Sequence, residues 1–198
     1  YPTATEAGER TYTCKSCGST RTEAIDKDNS VRASGYNGSI SWILYKDGKL
    51  VFKGDGAILN QSDTLEPWNS YKNYIFEVSV EDGITEIGES AFSGWNNIEK
   101  VAISENVTDI GSYAFYDCTS LEDVSLSEGL ERILIRVFEN CSNLTEIVFP
   151  ESVTKIGGGV FRGCSKLKKA ELPQGISEIG DNTFNGCRNL KSVTLPDN

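Results

Sequence analysis

Residues 81–195 write one pattern five times, at a period of 23 residues, with no insertion or deletion. With frames opening at Glu81, Ser104, Ser127, Pro150 and Pro173, position 12 is always phenylalanine: Phe92, Phe115, Phe138, Phe161 and Phe184. Position 7 is always isoleucine (Ile87, Ile110, Ile133, Ile156, Ile179), and position 18 is Ile98, Leu121, Leu144, Leu167 and Leu190. Positions 21 and 23 are apolar in every copy, from Val101 and Ile103 to Val193 and Leu195. A fixed period of this length commits the chain to stacked coils, each burying its apolar side against its neighbours.

Within each unit, positions 18–23 alternate branched apolar with polar residues, which predicts a short strand. Strands of successive units then stack into a parallel sheet along one face. Positions 9–13 are expected to form a helical turn that carries the phenylalanine inward. Position 14 is Gly94, Asp117, Asn140, Gly163 or Gly186, types that tolerate the left-handed conformation closing such a turn. Position 8 is glycine in four copies (Gly88, Gly111, Gly157, Gly180), which marks a close approach of backbone to the adjacent layer. Cys118, Cys141, Cys164 and Cys187 share position 15, where the first unit has Trp95. In-register side chains point the same way, whereas a disulfide needs facing Cβ atoms. A column of buried free thiols is therefore expected.

The unit reads I/V/L-x-x-I-G-x-x-A-F-x-G-C-x-x-L-x-x-V-x-L-P, and it resembles the BspA-type leucine-rich repeat of bacterial surface proteins. That resemblance implies a repeat solenoid: a right-handed β/α superhelix with a parallel strand sheet on one face and short helical turns. It implies attachment to host or bacterial partners at the cell surface and no catalytic residues. The stretch from Trp42 through Gly54-Asp55-Gly56 to Pro67-Trp68 looks like the segment that leads into such repeats and caps them.

The rest of the chain is assigned around this array. Residues 1–30 are polar and contain Cys14-Lys15-Ser16-Cys17. That pair admits three readings: a local disulfide or paired thiols, two ligands of a metal completed from elsewhere, or a redox pair. The metal reading is weakened because structural zinc wants four ligands and the chain has no histidine. Residues 31–80 hold a β-hairpin cap and a degenerate zeroth repeat. In the hairpin, Ile40, Trp42 and Leu44 give one apolar strand face, Leu50 and Phe52 give another, and Asp47-Gly48 supplies a tight two-residue turn. Trp42 and Trp68 are expected as core anchors. The last unit is as apolar as the inner ones, so either more sequence follows naturally or two ends meet; the simpler expectation is that residues 196–198 are a truncated end.

Composition narrows function. Net charge is −10, and residues 81–149 carry 14 acidic side chains against 3 basic ones. Nucleic acid binding needs the opposite balance. No apolar run approaches the roughly 18 residues of a membrane span. The sequence has no histidine, no Walker-type glycine loop and no nucleophile elbow, so neither an enzyme nor a cofactor is expected.

The place to bind is the exposed side of the strand sheet, positions 20 and 22. The candidates there are Lys100, Asp123, Glu146, Lys169 and Glu171, for an extracellular protein or glycan partner. The same stripe is equally well explained as a cross-strand ion ladder. A second irregularity lies in the third unit, Ile133-Leu134-Ile135-Arg136-Val137-Phe138, where siblings read Ile-Gly-x-x-Ala-Phe. It is either an exposed contact patch or repeat drift with local repacking. An adhesin-like binding module and a structural spacer presenting another domain both fit the sequence.

Overall fold

The computed structural model describes residues 9–13, 20–24, 31–59 and 67–194; Cys14, Cys17 and residues 195–198 lie outside them. Strands β1 (Glu9–Thr13) and β2 (Thr20–Ala24) pair antiparallel as a two-stranded sheet. Next, β3 (Val31–Asn37), β4 (Ile40–Tyr45) and β5 (Lys49–Gly54) pair antiparallel in order. Trp42 stands opposite Phe52 and Leu44 opposite Leu50, and all four side chains are buried. The turn differs from expectation. The strands are joined by three residues, the Gly48 N–H donates to the Tyr45 carbonyl, and only Gly48 has positive φ (90°). This is a turn closed by one left-handed glycine, so Asp47 escapes the strained conformation that a two-residue turn would impose.

From β5 onward the chain coils. Strand β6 (Gly56–Ile58) begins a second sheet, and each coil thereafter gives one strand to each of two parallel arrays. The first array continues through β7 (Glu77–Val80), β9 (Lys100–Ile103) and β11 (Asp123–Ser125). It resumes as a separate sheet of β13 (Glu146–Val148), β15 (Lys169–Glu171) and β17 (Ser192–Thr194). The second array is unbroken, running β6, β8 (Ile84–Ile87), β10 (Asp109–Ile110), β12 (Arg132–Ile133), β14 (Lys155–Ile156) and β16 (Glu178–Ile179). The division of the first array falls between β11 and β13, where the repeat frame sets Asp123 beside Glu146.

Positions 9–14 are not helical. Among the described residues the only helix is a 3-10 segment, Asn69–Tyr74. The reason is a left-handed residue at position 10 as well as at position 14. Ser90, Tyr113, Arg136, Gly159 and Asn182 have φ between 56° and 66°, and Gly94, Asp117, Asn140, Gly163 and Gly186 lie between 60° and 80°. A helix cannot run through such a residue, so the segment becomes overlapping turns. Its N–H groups turn sideways to the next coil: Phe92 N donates to Ala114 O (2.8 Å), Phe115 N to Val137 O (3.0 Å) and Phe138 N to Val160 O (2.9 Å). Three hydrogen-bonded ladders therefore join successive coils, except between β11 and β13, where the first array is divided and two remain.

The core fills the space between them. The five phenylalanines stack with centroids 5.2–5.7 Å apart and ring planes within 14° of parallel. Phe52 carries the column into the first strands, 5.9 Å from Phe92 and 4.9 Å from Trp68. Trp42 and Trp68 are buried, as core anchors should be. Behind the rings run the thiols: Cys118, Cys141 and Cys164 are buried, Cys187 is half-buried, and none is in a disulfide. Each Sγ donates to the phenylalanine carbonyl one coil earlier, at 3.0–3.2 Å. Burial pushes the Cys118 thiol up to about 12 and Cys187 up to about 11. The close approach expected at position 8 is present. A Cβ on Gly111 would lie 2.5 Å from Glu89 N, and one on Gly157 would lie 2.6 Å from the Leu134 carbonyl carbon.

Candidate functional site

Two outward surfaces carry the side chains that the sequence singles out. On the first array, residues at positions 20 and 22 point away from the core because strand side chains alternate. Lys100, Asp123, Glu146, Lys169 and Glu171 are all exposed there. The register sets Lys100 opposite Asp123 and Glu146 opposite Lys169. The pairing, however, runs along a strand: the Lys169 ammonium lies 2.5 Å from Glu171, two residues on. That hydrogen-bonded carboxylate pushes the Lys169 pKa up. Cross-strand pairing in this array occurs at its other end, where Lys49 meets Glu77 at 2.7 Å.

Two cross-strand ion pairs form on the second array, at position 6. Arg132 Nε lies 2.5 Å from Asp109 Oδ1, and Lys155 Nζ lies 2.8 Å from Glu178 Oε2. Adjacent parallel strands there place these side chains directly side by side.

The second surface is the turn face of the third and fourth units. Ile135 is 51% exposed, so the irregular stretch does present apolar surface to water. Arg136 lies over the Tyr113 ring at 5.9 Å, and Tyr113 packs edge-on to Tyr116. Glu139 is buried, held by Arg136 Nε at 3.3 Å and by Arg162 Nη1 at 3.6 Å. Ile135, Arg136, Gly158, Gly159, Arg162, Asp181 and Asn182 line a cleft of about 280 Å³. The irregular stretch flags half of this cleft in the sequence. Gly158-Gly159, Glu139 and Arg162 were missed, although two glycines following Ile135-Arg136 at one repeat's spacing are a readable signal. A third exposed group, Tyr74 and Phe76 with Arg32 stacked 4.6 Å above Tyr74, lies beside the first strands.

Among the described residues no group of three histidine, cysteine, aspartate or glutamate side chains is placed to hold a metal, and no helix is long and apolar enough to cross a membrane. Stacked coils with parallel strands and turn-rich returns define a solenoid repeat protein. Within that class, residues 69–168 match the BspA type leucine rich repeat region, in six copies, and the chain belongs to that family. A solved leucine-rich repeat protein of T. pallidum is 29% identical, with a TM-score of 0.63 over 83% of this chain and 72% of that one. One from Eubacterium ventriosum is also 29% identical, with a TM-score of 0.69 over 81% of this chain and 44% of that one. A leucine rich cell surface protein from Faecalibacterium prausnitzii shares the fold at 22% identity and a TM-score of 0.53, over 81% of this chain and 54% of that one.

Proposed function

We propose that this chain is a non-enzymatic binding module, exposed at the cell surface or secreted. Its partner is a host or bacterial surface protein or glycan. The observation that carries the reading is the first strand array. Each coil presents outward side chains that can vary without touching the phenylalanine and thiol columns behind them. A solenoid of this kind is a stable support for a variable recognition surface. We take the winding to be right-handed and β3–β5 to cap the coils. The name of the Faecalibacterium prausnitzii relative, a leucine rich cell surface protein, supports the location.

Capture of the purified chain on an array of extracellular-matrix proteins, mucins and glycans, at two salt concentrations, tests this. A saturable hit weakened by Lys100→Glu with Lys169→Glu is expected. Absence of any hit at tens of micromolar overturns it in favour of a spacer that presents another domain.

A further inference from the structure

The coils are not joined equally. Along the first array, the N–H at position 19 donates to the position 19 carbonyl of the coil before: Glu99 to Phe76, Glu122 to Glu99, Lys168 to Thr145 and Lys191 to Lys168, at 2.8–3.1 Å. Among the described residues only Thr145 makes no such bond, to Glu122. The other end of the same strand pair is open as well. Position 1 closes the earlier steps, through Glu81 N to Phe52 O and Ser104 N to Val80 O (both 3.0 Å), then Ser127 Oγ to Ile103 O (2.6 Å). Pro150 offers neither an N–H nor a hydroxyl to Leu126. Pro173 lacks them too, but its step keeps the Lys168 bond, and β13 stays paired to β15.

The seam reaches inward. Val124 on β11 is 7% exposed, against 0–2% for Val101, Ile147 and Ala170 at the same place in their coils. Leu126 is only partly buried, whereas Ile103, Phe149 and Leu172 are buried. The other two sides of the same step are held without a gap. Tyr113, Phe115 and Asp117 donate to Ile135, Val137 and Glu139 at 2.9–3.0 Å, and Asn140 Nδ2 donates to Asp117 Oδ1 at 2.9 Å. In the second array Glu131 N donates to Thr108 O at 2.9 Å and Leu134 N to Ile110 O at 3.0 Å. The Phe115–Phe138 stack between them, at 5.5 Å, is as close as the next stack along, at 5.6 Å.

We propose that this seam is a hinge. The two intact ladders form its axis, and the first array is the side that opens. Asp123 and Glu146 move apart while the phenylalanine stack and the turn bonds hold. The coils through β11 and the coils from β12 onward rock as two bodies, so the outward strand face changes its curvature at one place. Hinges of this kind turn on a few residues at the ends of elements. No hydrogen bond between the two strands has to break, because those that would resist opening are the ones missing. Lys100 and Asp123 lie on one side of the seam, and Glu146, Lys169 and Glu171 on the other. A partner that spans it selects one curvature from those the free chain visits.

The test is amide nitrogen relaxation dispersion by NMR on the whole chain with no partner added, which reads motion on the μs–ms scale of hinges. Exchange contributions are expected at residues 122–126 and 145–149, and not at 113–117 or 131–134, which flank the axis. Pro150→Ser returns the serine that units 2 and 3 carry at position 1, and it should abolish those contributions. Pro173→Ser, at a step that is already joined, should leave them unchanged. A flat profile, dispersion spread evenly over all coils, dispersion centred on the second array, or a profile unmoved by Pro150→Ser each overturns the hinge. Should the serine variant fail to fold, the profile of the unaltered chain decides alone. Because no partner takes part, failed array capture leaves the hinge standing, and a flat profile leaves the binding module standing.

Discussion

Replacing Phe138 by alanine removes the central ring of the phenylalanine column. The ring is fully buried, with Phe115 stacked at 5.5 Å on one side and Phe161 at 5.6 Å on the other. Emptying a core site of that size costs about 3–5 kcal/mol. Two aromatic contacts, each worth about 0.5–1.5 kcal/mol beyond area, place Phe138→Ala toward the upper part of that range. Phe184 has one stacked neighbour at 5.7 Å and is only partly buried. Phe184→Ala should therefore cost about 1–2 kcal/mol less. Equilibrium urea unfolding followed by circular dichroism measures both. A double-mutant cycle sharpens the test. Phe138→Ala with Phe161→Ala should couple by about 0.5–1.5 kcal/mol, whereas Phe138→Ala with Phe184→Ala should add to within about 0.5 kcal/mol. Equal costs at the two sites, or coupling between the separated pair as strong as between neighbours, would refute a column held by nearest-neighbour contacts.

The thiols give a prediction in pH. Their folded-state pKa values are raised by burial, so the stability they contribute is complete below the unfolded thiol value. Stability should be flat below about pH 8, then fall as pH rises past about 9, where unfolded thiols ionise and the column cannot. Replacing the four column cysteines by alanine should flatten that alkaline limb in urea titrations; an unchanged limb would contradict it. At neutral pH a maleimide should label Cys187 before Cys118, Cys141 or Cys164, in the order of their exposure. Gly157→Ala should destabilise by about 1–3 kcal/mol, because its Cβ would meet Leu134 backbone at 2.6 Å. Gly175→Ala, whose Cβ meets nothing nearer than 3.7 Å, should leave the thermal midpoint nearly unchanged.

The phenylalanine column, the position 7 isoleucines, the glycine approaches and the left-handed closure at position 14 are all legible in the sequence, because each needs one residue type or a few related ones and four or five copies repeat it. Position 10 was not legible. Its occupants are serine, tyrosine, arginine, glycine and asparagine, so no composition announces the left-handed turn, and a helical turn was expected instead. Which charged side chains pair was not legible for a related reason. Opposite charges at the frame's spacing exist on both arrays, and only coordinates show Lys169 reaching along its own strand while Arg132 reaches across to Asp109. The cleft was half visible. Ile135-Arg136 departs from the repeat, but its consequence depends on Gly158-Gly159 lying beside it in the next coil.

The three ladders also govern how such a chain can change length. One extra residue inside a coil would throw strands and turns out of phase with both neighbours at once. A whole added unit leaves every donor opposite its acceptor and every ring over a ring. Growth and loss in this architecture are therefore quantised at 23 residues, and the five copies without a gap record that rule. The longer step from Lys49 to Glu77 falls at the first coil, where a change of length disturbs coils on one side only. Variation in total length is thus cheap by duplication and costly by indel, and the binding faces lengthen or shorten in whole rungs.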